Sequence, residues 1–197
     1  MRRVWEVLTC LLLIGAFAGE AAGQQLTRPW WVGGEVGEGQ LLLFSDQSPG
    51  TRNSTFAMGF VGGHSLGSRA RIGMELNGWL LQAFNLHDPA EGESVSNVMG
   101  IADLFPVPKV PLFIRAGIGG GFYTNNRPGG LGGSGMAWTA GGGYEIRVGS
   151  RLGLAPMVAW SAGDFGDNPD PYILETGRRY SVVEFKLDIL WHFGRTK

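Results

Sequence analysis

Val183-Glu184-Phe185-Lys186-Leu187-Asp188-Ile189-Leu190-Trp191-His192-Phe193 alternates apolar and polar residues over nearly its whole length. Successive side chains of a β-strand point to opposite faces, whereas a helix needs apolar residues three and four apart. The segment is therefore a two-faced strand. Val183, Phe185, Leu187, Ile189, Trp191 and Phe193 make one face. Glu184, Lys186, Asp188 and His192 make the other, with Leu190 in a nominally polar place.

The same period recurs upstream. Leu112, Ile114, Ala116, Ile118 and Phe122 alternate with Phe113, Arg115 and glycines. Met136, Trp138, Ala140, Tyr144 and Ile146 alternate with Ala137, Thr139, Glu145 and Arg147. Leu152, Leu154, Val158 and Trp160 oppose Arg151, Gly153, Ala155 and Ala159, and Ile72, Met74, Leu76 and Leu80 oppose Arg71, Glu75 and Asn77. Phe56, Met58 and Phe60 mark a further strand, and residues 30–43 and 95–105 alternate less cleanly. These segments predict eight strands. Pro156 lacks the N–H that a ladder requires, so a bulge is expected there.

The connections carry a second pattern. Those at Gly63–Ser68, Pro106–Val110 and Gly149–Ser150 are short. Those at Phe44–Asn53, Ala83–Ser94, Tyr123–Gly133 and Gly163–Arg179 are longer and polar. Strict alternation of short and long is the habit of transmembrane barrels, with tight periplasmic turns and longer extracellular loops. The fold class expected is all-β: a closed, antiparallel, up-and-down transmembrane β-barrel of eight strands.

Volume decides which face points outward. The interior of an eight-stranded barrel is just wide enough for side chains to fill it. It cannot take Trp138, Trp160, Trp191 and the phenylalanines of the apolar face. The other face, rich in glycine, alanine and charge, does fit. The 34 glycines of 197 residues thus serve a packed structure, since 44% hydrophobic and 11% aromatic content is foreign to a disordered chain. By parity the lumen should hold Glu35, Glu75, Asp103, Glu145, Glu184 and Asp188 against Arg71, Arg115, Arg147, Arg151 and Lys186. Interior charges are tolerable only when paired, so a near-balanced set predicts a lumen plugged by salt bridges rather than a wide pore.

The first 23 residues read as a secretory signal ahead of a barrel domain at 24–197. Arg2 and Arg3 precede an apolar core from Leu8 to Ala18, and small residues end at Gly23, where cleavage is expected, with Ala18 as the alternative. Cys10, the only cysteine, opens that core rather than following it as a lipoprotein cysteine would. Removing Arg2, Arg3, Glu6 and Glu20 from 16 basic and 17 acidic residues leaves 14 and 15, which gives nucleic acid no basic footprint.

The signal segment, the eight strands and hairpins such as Trp138 to Trp160 resemble the outer-membrane protein β-barrel domain family, the small barrels of the OmpA and OmpX type. The resemblance implies a bacterial outer membrane reached through a cleaved signal peptide. Its implied partners are membrane lipid and lipopolysaccharide together with the outer-membrane assembly machinery, and a monomer is favoured. The aromatic terminus common in such proteins is displaced here, because four residues follow Phe193.

Chemistry is sparse. Small barrels of this kind include lipid A deacylases, which place a histidine two residues before a serine. Here the comparable place reads Val158-Ala159-Trp160-Ser161, and the adjacent His64 and Ser65 would face opposite sides of a strand. His64, His87 and His192 have no metal-ligand spacing. Asp164, Asp167 and Asp170, with Glu175 beyond, match no calcium loop. Gly117-Ile118-Gly119-Gly120-Gly121 lies within a strand and lacks the dinucleotide-binding order. Catalytic, cofactor and metal sites are therefore all expected to be none. The leading reading is a non-enzymatic barrel with a structural or surface-interaction role. A narrow, porin-like channel for small or apolar molecules is the alternative, and a lipid-acting hydrolase the second.

Overall fold

The computed structural model describes residues 28–81, 92–107, 110–125, 132–166 and 176–194. The signal segment 1–23 with Cys10, and also His87, Asp167, Asp170 and Glu175, lie outside the described residues. Among the described residues nine strands run in order: β1 (Trp30–Ser45), β2 (Ser48–Ser65), β3 (Ala70–Leu80), β4 (Glu93–Leu104), β5 (Leu112–Asn125), β6 (Gly133–Tyr144), β7 (Ile146–Val148), β8 (Leu152–Asp164) and β9 (Arg179–Phe193). Each pairs antiparallel with its neighbours, and β1 pairs with β9, so the sheet closes on itself.

β6 and β7 are one stave with a missing rung. Gly143 pairs with Met157 on one side of the gap and Ile146 with Leu154 on the other, in the same register. The Glu145 N–H turns away to donate to the Pro111 carbonyl (2.9 Å). Backbone groups alternate in direction along a strand, so those of Tyr144 face Pro156, which has no N–H to return. The bulge expected at Pro156 is therefore replaced by the loss of one hydrogen bond, and Pro156 keeps its place opposite Leu187. Counting β6 and β7 together, eight staves form the wall.

The stagger of the wall follows from its register. The path Trp31, Gly63, Gly73, Ile101, Gly117, Thr139, Ser161, Val182 crosses every stave and returns to β1 at Leu41, ten residues from its start. With about 3.3 Å per residue and 4.8 Å between strands, that stagger tilts the staves by about 40°.

Pro29, Gly194 and the connections after β2, β4 and β7 lie at one end, here the turn end. Gly67 and Gly149 take positive φ there (77° and 74°), which tight turns demand. At the opposite, loop end the first connection differs from expectation. Residues 44–53 are mostly strand, for Leu43 pairs with Thr51 and Ser45 with Ser48, leaving Asp46 and Gln47 as the turn. Polar residues that cannot enter hydrocarbon still pair along a hairpin that rises above it.

The exterior is predominantly apolar on every side, with Glu38 exposed on β1 towards the loop end of the band. Phe60 (70% exposed), Met74 (60%), Ile118 (61%) and Met136 (62%) stand on different staves. Soluble monomers do not expose such a continuous surface, whereas in hydrocarbon a closed sheet leaves no backbone group without a partner. On β9 the band runs from Val183 to Phe193; at the tilt above it is about 26 Å tall, against about 25 Å for the apolar band of transmembrane barrels. Aromatic pairs mark its edges. Trp30 meets His64 edge-on at the turn end (4.7 Å), and Trp138 meets Trp160 at the loop end (4.4 Å). The Trp160 indole N–H donates to Ser181 Oγ (2.9 Å). One end of each ring is apolar and the other wet, which suits the membrane boundary.

Candidate functional site, the charged lumen

The lumen is built by parity. Every second residue of a stave points inward, and the sequence puts acids and bases at those positions on β1, β3, β4, β5, β7 and β9. The staves β2 and β8 carry no charge there and contribute mostly small residues instead, with Val61 and Met157 the larger ones. Gly59 shows why: a Cβ at that position would lie 2.5 Å from Glu35 Oε1.

Arg115 is the hub. Its Nε and Nη2 bind the two oxygens of Asp103 (2.8 and 3.2 Å), and its Nη1 reaches Glu75 Oε2 (2.9 Å) and Asp188 Oδ2 (3.1 Å). Towards the loop end, Lys186 Nζ bridges Glu35 Oε2 and Glu75 Oε1 (3.0 Å each) and lies 3.7 Å from Glu184 Oε1. Glu184 Oε2 accepts the Trp79 indole N–H (2.8 Å). Towards the turn end, Arg71 holds Asp103 Oδ2 (2.9 Å) and Glu145 Oε2 (2.6 Å). Glu145 also pairs with Arg147 Nε, and its Oε1 lies 3.2 Å from His192 Nε2. One chain of contacts thus runs the length of the lumen, from Trp79 to Arg147.

Arg151 is the exception among the expected lumenal charges. It is exposed, and its guanidinium lies over the outward ring of Trp191, 5.8 Å from the centroid. β8 begins at Leu152, so Arg151 belongs to the turn, where strand parity has no force. Arg178 takes up the count at the loop end, where it is buried against Tyr123, so the inner set among the described residues is six carboxylates against five cations, Arg71, Arg115, Arg147, Arg178 and Lys186, which is still near balance.

Apolar clusters close the network at both ends. At the turn end Trp31, Phe105, Phe113, Met157 and Leu190 pack together, and the nominally misplaced Leu190 is fully buried among them. The Arg71 guanidinium lies 4.9 Å from the centroids of both Trp31 and Phe105 and 5.6 Å from that of Phe113. At the loop end Trp79, Tyr180, Phe165, Leu41 and Val95 pack together. Phe165 stacks on Tyr180 (5.0 Å, 16°), whose hydroxyl donates to Asn97 Oδ1 (2.5 Å). Sequence reasoning places the large aromatics outside and misses Trp31 and Trp79. The signal is present, because Trp31 shares parity with Glu35, and Trp79 with Glu75 and Asn77.

Among the described residues, no hydrogen bond joins Ser161 to a histidine. The Ser161 hydroxyl donates to Thr139 Oγ1 (3.0 Å) inside the barrel. His64 packs outside on Trp30, whereas His192 is buried beside Glu145. Among the described residues no group of three or more His, Cys, Asp or Glu side chains is placed to hold a metal ion.

No protein-family model matches the chain, and no curated protein matches it. Solved structures do. Neisserial surface protein A (NspA) superposes with a TM-score of 0.56 at 11% identity, covering 83% of this chain and 97% of that one. This chain has the fold of the small eight-stranded outer-membrane barrels. Two further barrels match with lower scores. They are Ail, the attachment invasion locus protein of Yersinia pestis (TM-score 0.47, 10% identity, 84% and 99% coverage), and OprG from Pseudomonas aeruginosa (0.42, 9%, 87% and 98%). At these identities the likeness is one of fold.

Proposed function

We propose that this protein is a non-conducting, non-enzymatic barrel of a bacterial outer membrane, acting through its wall and its loop-end surface. One observation carries the reading: a continuous chain of ion pairs from Glu184 to Arg147, joined to Trp79 by a hydrogen bond, occupies the lumen between two apolar closures. A permeating ion or solute would have to break buried pairs, and removing one partner of such a pair costs about 3–5 kcal/mol. The fold and the apolar band support membrane residence, with the turn end in the periplasm and the loop end outside. Outer-membrane lipid and lipopolysaccharide would surround the band, the assembly machinery would insert it, and a monomer suffices because the sheet closes on itself.

Transport remains the rival reading, and the missing rung at Pro156 is the feature that favours it. That interruption removes one hydrogen bond and leaves the register intact on both sides, so the structural reading is preferred. Planar-bilayer recording of the refolded protein decides between them. Only baseline current is expected, and steady unitary conductance overturns the proposal. Fractionation of expressing cells should place the protein in the outer membrane, with heat-modifiable migration on gels; recovery in the soluble periplasm overturns the location.

A further inference from the structure

Two connections at the turn end are built alike. Leu66-Gly67-Ser68-Arg69 leads from β2 into β3, and Val148-Gly149-Ser150-Arg151 leads from β7 into β8. In each, an apolar side chain is followed by a glycine at positive φ, then by an exposed serine and an exposed arginine. Leu66 (53% exposed) and Val148 (48%) enter no core. The backbone of both arginines is pinned: the Arg69 carbonyl accepts the Phe105 N–H (2.9 Å), and the Arg151 carbonyl accepts the His192 N–H (2.7 Å). Arg28 stands between them on the rim, ahead of β1, where the neighbouring Pro29 carbonyl accepts the Ser65 N–H (2.7 Å).

The three arginines form one arc. Between the Arg69 and Arg151 turns lie only β2, β1, β9 and β8, half of the eight staves. Within that arc the outward rings of Trp30 and Trp191 are each about half exposed. Charge separates the two ends of the barrel. Among the described residues no exposed carboxylate lies at the turn end, and no carboxylate pairs with Arg28, Arg69 or Arg151. The loop end mixes its signs: Arg52 and Arg179 share it with Asp46, Glu93 and Asp164, and Arg179 Nη2 lies 3.7 Å from Asp46 Oδ1.

An arc of cations alone attracts an anion, and its surroundings select the kind. A water-soluble polyanion would leave Leu66, Val148 and both indoles in water. Arg151 instead lies along the wall, its guanidinium over the outward ring of Trp191 (5.8 Å), at the edge of the apolar band. The occupant must be apolar on the side of the band and anionic at the level of the rim. A phospholipid of net negative charge meets both conditions. Its phosphate accepts from guanidinium N–H groups, with the adjoining Ser68 and Ser150 hydroxyls as further donors, and its chains cover the apolar side chains.

We propose that the turn-end rim running from Arg151 through Arg28 to Arg69 is a binding surface for anionic phospholipid of the periplasmic leaflet. The inference rests on the outer-membrane reading above and adds to it the class of lipid and the residues that select it.

The test uses protein purified in detergent from the membranes of expressing cells. It is titrated with phosphatidylglycerol or with phosphatidylcholine of matched chains, and bound lipid is counted by native mass spectrometry. Phosphatidylglycerol is expected to bind about tenfold more tightly, and the preference should shrink as salt is raised. Arg69→Gln and Arg151→Gln should each weaken phosphatidylglycerol about fivefold, from about 1 kcal/mol per arginine, and leave phosphatidylcholine unchanged. Arg28→Gln replaces either variant that does not fold. Arg52→Gln and Arg179→Gln remove the same charge at the loop end and should leave both lipids unaffected. Equal binding of the two lipids, or an equal loss from the loop-end variants, overturns the assignment. Heat-modifiable migration is run on the same samples: a folded barrel without lipid preference sinks this inference alone, whereas recovery of the chain from the soluble periplasm sinks the membrane reading with it.

Discussion

The two ends of the lumen are closed by different chemistry. At the turn end, cations do much of the packing: Arg71 lies against Trp31, Phe105 and Phe113 while its nitrogens hold Asp103 and Glu145. At the loop end the closure is aromatic and mainly neutral. Phe165 stacks between Tyr123 and Tyr180, and Arg178 covers Tyr123 from the side (5.1 Å). A guanidinium suits an aromatic-lined interior because it is planar, weakly hydrated and able to satisfy several acceptors at once. The loop-end closure depends on Phe165, the first residue beyond β8, whose N–H donates to the Arg178 carbonyl (2.9 Å). One end is thus fastened into the charge network, and the other is fastened by rings to the bases of the strands.

Breaking the hub should damage both ends together. Arg115→Met leaves Asp103, Glu75 and Asp188 short of a cation, and a loss of about 3–5 kcal/mol is expected in urea unfolding from lipid vesicles. A loss below about 1 kcal/mol would mean that the network adds little to stability. Phe165→Ala should act on the loop end alone, costing about 3 kcal/mol. It should leave the Arg71 contacts intact, as amide chemical shifts at the turn end would report. Trp79→Phe keeps the ring packing but strips the N–H from Glu184, for an expected loss of about 2 kcal/mol. If this loss equals that of Phe165→Ala, the loop end relies on the charge chain as much as the turn end does. Smallest of all, Pro156→Ala restores the missing rung opposite Tyr144 and should gain about 1 kcal/mol. Hydrogen exchange at the backbone amide this substitution introduces would be slow if the rung forms and fast if it does not.

Much of this is legible in the chain. The alternation of Val183 to Phe193 places Glu184, Lys186 and Asp188 on one face, and all three are buried in the lumen. The parity that separates Glu75 from Leu76 is equally local, because each peptide reverses the side-chain direction. Legibility ends where strands end. Arg151 follows the parity of β8 on paper but lies in the turn, free to swing outward onto Trp191. The stretch 44–53 reads as a loop because it is polar, yet polarity does not prevent pairing in a hairpin that stands clear of hydrocarbon. Pro156 announces a disturbed ladder. Whether the disturbance becomes a bulge or a missing rung depends on the partner strand holding its register.

By itself, then, the sequence determined the number of staves, which face of each meets lipid, and which charges turn inward. These are properties of a backbone that alternates every residue and of a lumen too narrow for the larger apolar set. Only the tertiary structure decided who meets whom. Lys186 finds Glu35 across 151 residues of chain at 3.0 Å, because the closed wall brings β9 beside β1. The ten-residue stagger sets the height at which each inward charge stands. Ring closure is a property of all eight staves together, and no local pattern encodes it.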